Sequence, residues 1–487
     1  MNVLYYGDNL EVLRNHIASA TIDLIYLDPP FNSKRGYNLL FKSPEGESSR
    51  AQVTAFEDTW TWGEGAALAF DEVMRSGHAG AATMLNAMRA FLGESDVMAY
   101  LSMMAVRLIE LHRVLKPTGS IYLHCDPTAS HYLKILMDSI FASENLRNEI
   151  IWHYRRWPTK SSRFQRMHDV LLFYKGRAQN TFNILYQEPT ASSQKRWKGK
   201  QQRATFDALG KRLPTLEEDN PSLGVPLDDV WDIPIIAPSS KERLGYPTQK
   251  PLALLERIIR ASSSKGDLVM DPFCGCGTAV DAAQKLGRRW IGIDITHLAV
   301  GLIERRLKKR YPSIVFDIRG IPKDIDGLRA MAAQARSNPR LYYELQYWAI
   351  NQIPAAQHAQ DQKKGADKGI DGMVWLRPSK GSYEKALISV KAGENVGVEM
   401  VRSLIATVER EKAKLGILLT LAAPTRNMKG EAAVAGMAEL EGVRCPKIQI
   451  LTFQDLLDGK QPQLPYADYA FALPKAKQDE GEQSQLF

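Results

Sequence analysis

Leu268-Val269-Met270-Asp271-Pro272-Phe273-Cys274-Gly275-Cys276-Gly277-Thr278 is the stretch that decides the fold. An apolar strand ends in Asp-Pro-Phe, a glycine-rich turn follows, and Ala279 to Leu286 reads as helix. Gly275 and Gly277 let the backbone come close to a ligand at the helix start. Arg289-Trp290-Ile291-Gly292-Ile293-Asp294 then reads as a strand ending in an acid, the position at which such units grip a ribose diol. The distance from the turn to Asp294 is close to the roughly 20 residues of a nucleotide-binding unit. Neither G-x-G-x-x-G nor G-x-x-x-x-G-K-[ST] is present. An adenosine-bearing cofactor other than NAD or ATP is therefore favoured.

Leu24-Ile25-Tyr26-Leu27-Asp28-Pro29-Pro30-Phe31 is a second apolar run stopped by breakers. Runs of this kind are buried strands of parallel sheets. Two prolines stop the strand and stiffen the loop at its carboxyl end, the edge where open α/β sheets place ligands. The loop offers a carboxylate, carbonyls without competing N–H groups and an aromatic face, a set suited to holding a planar base by its exocyclic amine. Taken alone, it is equally a strand followed by a turn with a surface Asp. Further strand candidates are Asn2–Tyr6, Ser120–His124, Glu149–His153 and Val170–Tyr174, with helical periodicity at Met103–Leu115 and Leu252–Ala261. Strands alternating with helices predict a doubly wound, mostly parallel sheet.

The two Asp-Pro-Phe-type stretches together resemble the amino-methylating DNA methyltransferases. Tyr246-Pro247-Thr248-Gln249-Lys250-Pro251 and Tyr6-Gly7-Asp8 match two further motifs of that family. The catalytic motif precedes the cofactor motif, so the order resembles the family's β class, a circularly permuted seven-stranded sheet. The resemblance spans residues 1–320. It implies S-adenosylmethionine as cofactor and the N6 of adenine or N4 of cytosine as target. Asp28, Pro29, Pro30 and Phe31 are implied as catalytic. Asp8, Thr248, Lys250, Asp271, Phe273, Gly275, Gly277, Thr278 and Asp294 are implied as cofactor-binding. Asp rather than Ser before the prolines resembles the adenine-directed members. The target base has to leave the duplex to be methylated. Phe31 would stack on it, while the Asp28 carboxylate and the Pro29 carbonyl hold its amine. No nucleophilic Cys is required, so Cys125 reads as structural.

Composition agrees. The 487 residues exceed one ordinary domain, and 44% are hydrophobic, enough for well-built cores. Lys and Arg number 63 against 55 Asp and Glu, a net charge of +8 that permits a polyanionic partner. Four scattered cysteines imply no disulfide frame, and the glycines around Cys274 and Cys276 assign that pair to the cofactor turn rather than to a metal. No signal peptide or membrane-length apolar run is evident, so a cytoplasmic protein without a membrane partner is expected. Residues 151–245, lying between the catalytic and cofactor halves, are rich in Arg and Lys with interleaved aromatics such as Trp157 and Phe164. That region is read as the target-recognition part, with double-stranded DNA as partner. Ordinary solvated basic loops are the plainer reading. The insertion from Lys34 to Asp96 either lines the DNA cleft or packs its tryptophans.

Beyond residue 320 the character changes. Residues 321–336 read as a linker, 337–460 as a second, smaller α/β domain, and 461–487 as a polar tail. Gly369-Ile370-Asp371-Gly372, a strand, and a strand ending Ser389-Val390-Lys391 resemble Mrr-like restriction-endonuclease domains. There Asp371 would hold Mg²⁺ and Lys391 would assist the attacking water. Ser389 stands where a second acid is expected, and Glu344 is the candidate to compensate. Three functions follow: an adenine-N6 methyltransferase with a nuclease-like accessory domain; a bifunctional restriction-modification enzyme, with N4-cytosine as the alternative target; and a DNA-binding regulator with a degenerate site. A homodimer is compatible with each.

Overall fold

The computed structural model describes residues 1–30, 35–42, 48–58, 61–158, 160, 162, 164–189, 191–192, 195, 200–203, 207, 211, 216–221, 223–237, 239–244, 246, 248–336, 339–358, 369–379 and 382–469. At 35–42, 48–58, 200–203, 216–221 and 339–340 it describes the backbone alone.

Nine strands form the main sheet: β1 (Asn2–Tyr6), β2 (Ile22–Leu27), β3 (Leu115–Cys125), β4 (Leu146–His153), β5 (His168–Lys175), β6 (Val230–Asp232), β7 (Leu268–Asp271), β8 (Arg289–Asp294) and β9 (Phe316–Arg319). Their spatial order is β6-β4-β5-β3-β2-β7-β8-β1-β9. Neighbours are parallel except around β5, which runs antiparallel to β3 and β4. The sheet therefore has nine strands where seven were expected. The seven are contiguous, and β6 and β9 add an edge on each side. These two are only 3 and 4 residues long, too short for a periodic signal.

The apolar runs are continuous because both faces of the sheet are covered. Val3, Tyr5, Ile25 and Leu27 enter one core, with α1 (Asn9–His16), α2 (Glu64–Arg75), α3 (Ala79–Leu92), α4 (Asp96–Val114) and α5 (Ser130–Phe141). Leu4, Leu24 and Tyr26 enter the other, with α6 (Leu252–Ser262), α7 (Thr278–Lys285) and α8 (His297–Arg310). Each such aliphatic side chain is worth roughly 1.5–3 kcal/mol when fully buried.

β7 and β2 are parallel neighbours, with Val269 opposite Leu24 and Met270 opposite Ile25. From β7 the chain winds to β8 on one side, and from β2 to β3 on the other. A ligand crevice opens outside the carboxyl ends at such a switch point. Asp28 and Asp271 stand on its two lips. β1 pairs with β8 so that Tyr6 lies opposite Asp294, which makes the start of the chain complete the half begun at β7.

The insertion after β2 forms an antiparallel hairpin, Arg35–Lys42 against Ser48–Asp58, followed by α2 and α3. Trp62 has a packing role, edge-on to Phe70 at 6.4 Å between ring centres, with the Arg89 guanidinium over it at 5.1 Å. Trp60 lies outside the described residues.

A second sheet, in order β10-β11-β12-β13-β14, is built from β10 (Gln357–His358), β11 (Gly372–Leu376), β12 (Glu384–Lys391), β13 (Leu415–Thr420) and β14 (Ile448–Thr452). Residues 321–336, expected as a linker, contain α9 (Ile325–Gln334). Leu328 and Met331 of that helix join Trp348, Ile350 and Val374 in the second core. α10 (Pro339–Asn351), α11 (Val398–Arg410) and α12 (Arg426–Val434) follow. In the expected tail, the Asp468 N–H donates to the Trp375 carbonyl at 2.8 Å, tying residue 468 to β11. Among the described residues no helix is long and apolar enough to cross a membrane.

Candidate active site

Asp28 follows directly on β2. Lys250 Nζ, 222 residues away in sequence, donates to Asp28 Oδ2 and also lies 3.5 Å from the Thr248 carbonyl. Asp28 Oδ1 is buried and has no hydrogen-bond partner among the described residues. A buried acceptor left unmet costs about 1–3 kcal/mol, and such sites are where function is sought. Pro29 is buried and Pro30 half-buried, while Phe31 lies outside the described residues.

The loop carrying Lys250 is stapled from both sides. Gln249 Nε2 donates to the Glu242 carbonyl at 2.9 Å, and Gln249 Oε1 accepts from Leu244 N at 2.8 Å. Glu242 Oε1 accepts from Leu252 N at 2.6 Å, which caps α6. Thr248 has φ +61°, a left-handed conformation rare for a β-branched residue and held here by its surroundings.

Across the crevice, Asp271 Oδ1 accepts from Phe273 N at 3.0 Å. Burial, with the charges of Asp28 and Asp294 adding, pushes the Asp271 carboxyl up to about 8 against the opposing Phe273 N–H and Lys250. Gly275 and Gly277 have φ +51° and +76°. A Cβ on Gly277 would stand 2.8 Å from Ile303, so the turn admits only glycine there. Gly275 N donates to Asp294 Oδ2 at 2.8 Å, and Asp294 Oδ1 accepts from Thr296 N at 3.0 Å and Thr296 Oγ1 at 2.9 Å.

Two expected cofactor residues have side chains engaged elsewhere. Thr278 is buried, with Oγ1 3.4 Å from Arg306 and 3.5 Å from the Cys276 thiol. Asp8 caps α1 through Leu10 N at 2.8 Å and pairs with Arg107 at 2.8 Å. Arg107 also donates to Asn9 Oδ1 at 2.7 Å, and Asn9 Nδ2 donates to the Pro272 carbonyl at 2.9 Å. Arg107 and Asn9 thereby tie α4, α1 and the Asp-Pro-Phe turn together. Sequence reading missed both. The available signal was an Arg inside the apolar stretch of α4.

A buried polar chain runs from the catalytic strand towards the recognition region. Tyr26 OH is 2.9 Å from His124 Nδ1, His124 Nε2 is 3.3 Å from Asp169, and Tyr154 OH donates to Asp169 at 3.0 Å. Burial acts to raise the Asp169 carboxyl, but the His124 and Tyr154 bonds and the Lys250 charge outweigh it and hold it down at about 2. Cys125 is buried, its thiol 3.7 Å from the Val170 carbonyl and pushed up by burial, in keeping with a structural residue. Between β4 and β5, at the carboxyl edge, Arg155, Arg156 and Arg166 are exposed, as are Trp157 (90%) and Phe164 (101%). Arg163, Arg196, Lys198 and Arg212 lie outside the described residues. A cavity of about 630 Å³ lined by Arg14, His112, Lys116 and Arg177 sits at the start of β3, the opposite edge, and is not the crevice.

In the second unit, Asp371 is buried and its oxygens accept from Gln346 Nε2 at 3.1 Å, Val390 N at 2.6 Å and Ser389 Oγ at 3.5 Å. Glu344 is engaged on another side. Its Oε2 accepts from His297 N at 3.1 Å, on the first unit. Lys391 is half-buried at the end of β12. No group of three or more His, Cys, Asp or Glu able to hold a metal occurs among the described residues.

A family profile described as DNA methylase, of the N6/N4 class, matches residues 22–305. A second, described as NACHT-associated inactive Restriction Endonuclease 1, matches residues 353–458. Type II methyltransferase M.HpaI of Haemophilus parainfluenzae is 33% identical over 206 residues, 42% of this chain and 58% of that protein. DNA adenine methyltransferase YhdJ of Escherichia coli is 33% identical over 205 residues, 41% of this chain and 64% of that protein. Type II methyltransferase M.EcaI of Enterobacter cloacae is 26% identical over 360 residues, 63% of this chain and 69% of that protein. The chain thus spans about three-fifths of the length of the first two.

Proposed function

The chain belongs to the DNA methylase family of the N6/N4 class, and from that membership and its crevice we propose that it is an S-adenosylmethionine-dependent DNA methyltransferase acting on adenine N6. The observation that carries the reading is the Asp28 carboxylate, with Oδ2 engaged by Lys250 and Oδ1 buried and unmet among the described residues. An acceptor of that kind matches an exocyclic amine.

The crevice suits the cofactor on its own terms. The glycine turn at 275–277 packs against Tyr246, Val280 and Ile303 with no space for a Cβ on Gly277, which fixes its backbone at the lip of the crevice. The buried Asp271, with a carboxyl near neutrality, gains from a cationic ligand beside it. When bound, the cofactor supplies an electrophilic methyl group. Asp28 Oδ1 and the Pro29 carbonyl accept from the amine, which orients its lone pair and stabilises the positive nitrogen that develops. Lys250 keeps the carboxylate in place. Phe31 follows in sequence to stack on the extruded ring.

Double-stranded DNA as partner is supported by Arg155, Arg156 and Arg166 with Trp157 at the catalytic edge. Adenine is favoured by Asp at position 28 and by the relative whose name gives adenine as its target. Cutting by the second unit has less support, since the Asp371 carboxylate already accepts from Gln346 Nε2 and Val390 N and the matching profile is of an inactive kind. Incubation with plasmid, Mg²⁺ and labelled methyl donor tests the reading. Label in adenine N6 with intact plasmid is expected. Absence of transfer, or label in cytosine, overturns it.

A further inference from the structure

α10 belongs to the second unit by its core, since Leu345, Trp348, Ala349 and Ile350 all enter it. Its other side reaches the cofactor half. Glu344 is buried and accepts from the His297 N–H at 3.1 Å, while Asn351 Nδ2 donates to the His297 carbonyl at 2.9 Å. Both backbone polar groups of the first residue of α8 are therefore held by α10. The carboxylate lies where a helix start favours negative charge. The approach is close: a Cβ on Gly301 of α8 would stand 2.6 Å from the Asn351 amide. Independently, Tyr347 of α10 packs in one cluster with Tyr246, Cys276, Leu298, Ala299 and Leu302.

Residue 297 is next to the site. Its ring stacks on Tyr6 at 3.8 Å and 16°, and Tyr6 lies opposite Asp294 in the β1–β8 register. Asp294 is bound by Thr296 N and by Gly275 N. Cys276 and Tyr246 belong to the glycine turn and to the loop that aims Lys250. We propose that α10 is the rear wall of the cofactor site. Glu344 and Asn351 are positioning residues for Asp294 and the glycine turn, so the affinity for S-adenosylmethionine depends on the second unit, whose nuclease-like fold serves here as a brace. This rests on the cofactor assignment above.

The test uses the full chain. Cofactor dissociation constants are measured by titration calorimetry, steady-state constants are measured for cofactor and DNA separately, and thermal melts check folding. Glu344→Ala and Asn351→Ala should each raise the cofactor Kd and KM about tenfold, with kcat at saturating cofactor and KM for DNA near wild type. Glu344→Gln keeps an acceptor oxygen for His297 N and should recover most of the loss. If Glu344→Ala does not fold, Asn351→Ala and Glu344→Gln carry the test. Folded variants with wild-type cofactor affinity, or with kcat lowered and cofactor KM unchanged, overturn the proposal. A wild-type chain that binds no cofactor would overturn the functional reading instead.

Discussion

Asp28→Asn isolates the charge at the centre of the site. The substitution keeps shape and volume, so β2 and its stiff loop should survive. It leaves one acceptor oxygen where two are required. One Asp28 oxygen now takes Lys250 and the other is buried without a partner among the described residues. In either rotamer of the amide, Lys250 or the incoming amine meets an NH₂ group. At least one charge-assisted bond is lost, worth about 1.5–3 kcal/mol, together with the negative field at the nitrogen that becomes positive. Losing one preorganised partner of a developing charge costs about 10²–10³ in kcat. A fall of that size is expected in single-turnover transfer of labelled methyl to plasmid, with the cofactor Kd from calorimetry within about threefold of wild type. A kcat within tenfold of wild type would refute the role of Asp28. An equal loss in cofactor affinity would move that residue from the reacting base to the cofactor.

Lys250→Met strands the part-buried Asp28 carboxylate, and urea denaturation should show about 1–3 kcal/mol of destabilisation, much of it recovered in the Asp28→Asn/Lys250→Met double variant. Burial lowers His297 and His358 from 6.5 to about 3. Between pH 6.5 and 3 the unfolded chain then binds more protons than the folded one. Stability should fall as pH drops through that window, by up to about 1.4 kcal/mol per pH unit for each histidine, and His297→Gln should flatten the slope measured by pH-dependent denaturation. Trp157→Ala should weaken binding of a DNA duplex about tenfold in anisotropy titrations while cofactor affinity stays unchanged. Asp371→Ala should leave plasmid intact in Mg²⁺, as should the parent chain, and nicking by the parent that disappears in the variant would revive the nuclease reading.

The elements of the first sheet that carry the site were legible because each is an apolar run closed by Pro, Gly or Asp. Asp28 and Asp271 could be placed at strand ends for the same reason. β6 and β9 were not legible, since pairing at an edge needs backbone partners more than side-chain pattern. α9 read as a linker because only Leu328 and Met331 of its ten residues are buried. Glu344 is the candidate acid because Ser389 stands where the resemblance expects one, but sequence carries no sign that its Oε2 accepts from His297 N, a contact made only when the two cores meet.

From local chemistry, then, the chain itself determined a strand, a proline-stiffened loop with an acid, a glycine turn and their permuted order. The tertiary structure decided which groups meet. Lys250 reaches Asp28 across 222 positions, Arg107 reaches Asp8 across 99, and Glu344 of one unit holds the first turn of α8 in the other. The physical reason is that strand and turn preferences depend on near neighbours. The pairing of buried charges depends on which elements the two cores bring to the same edge of the sheet.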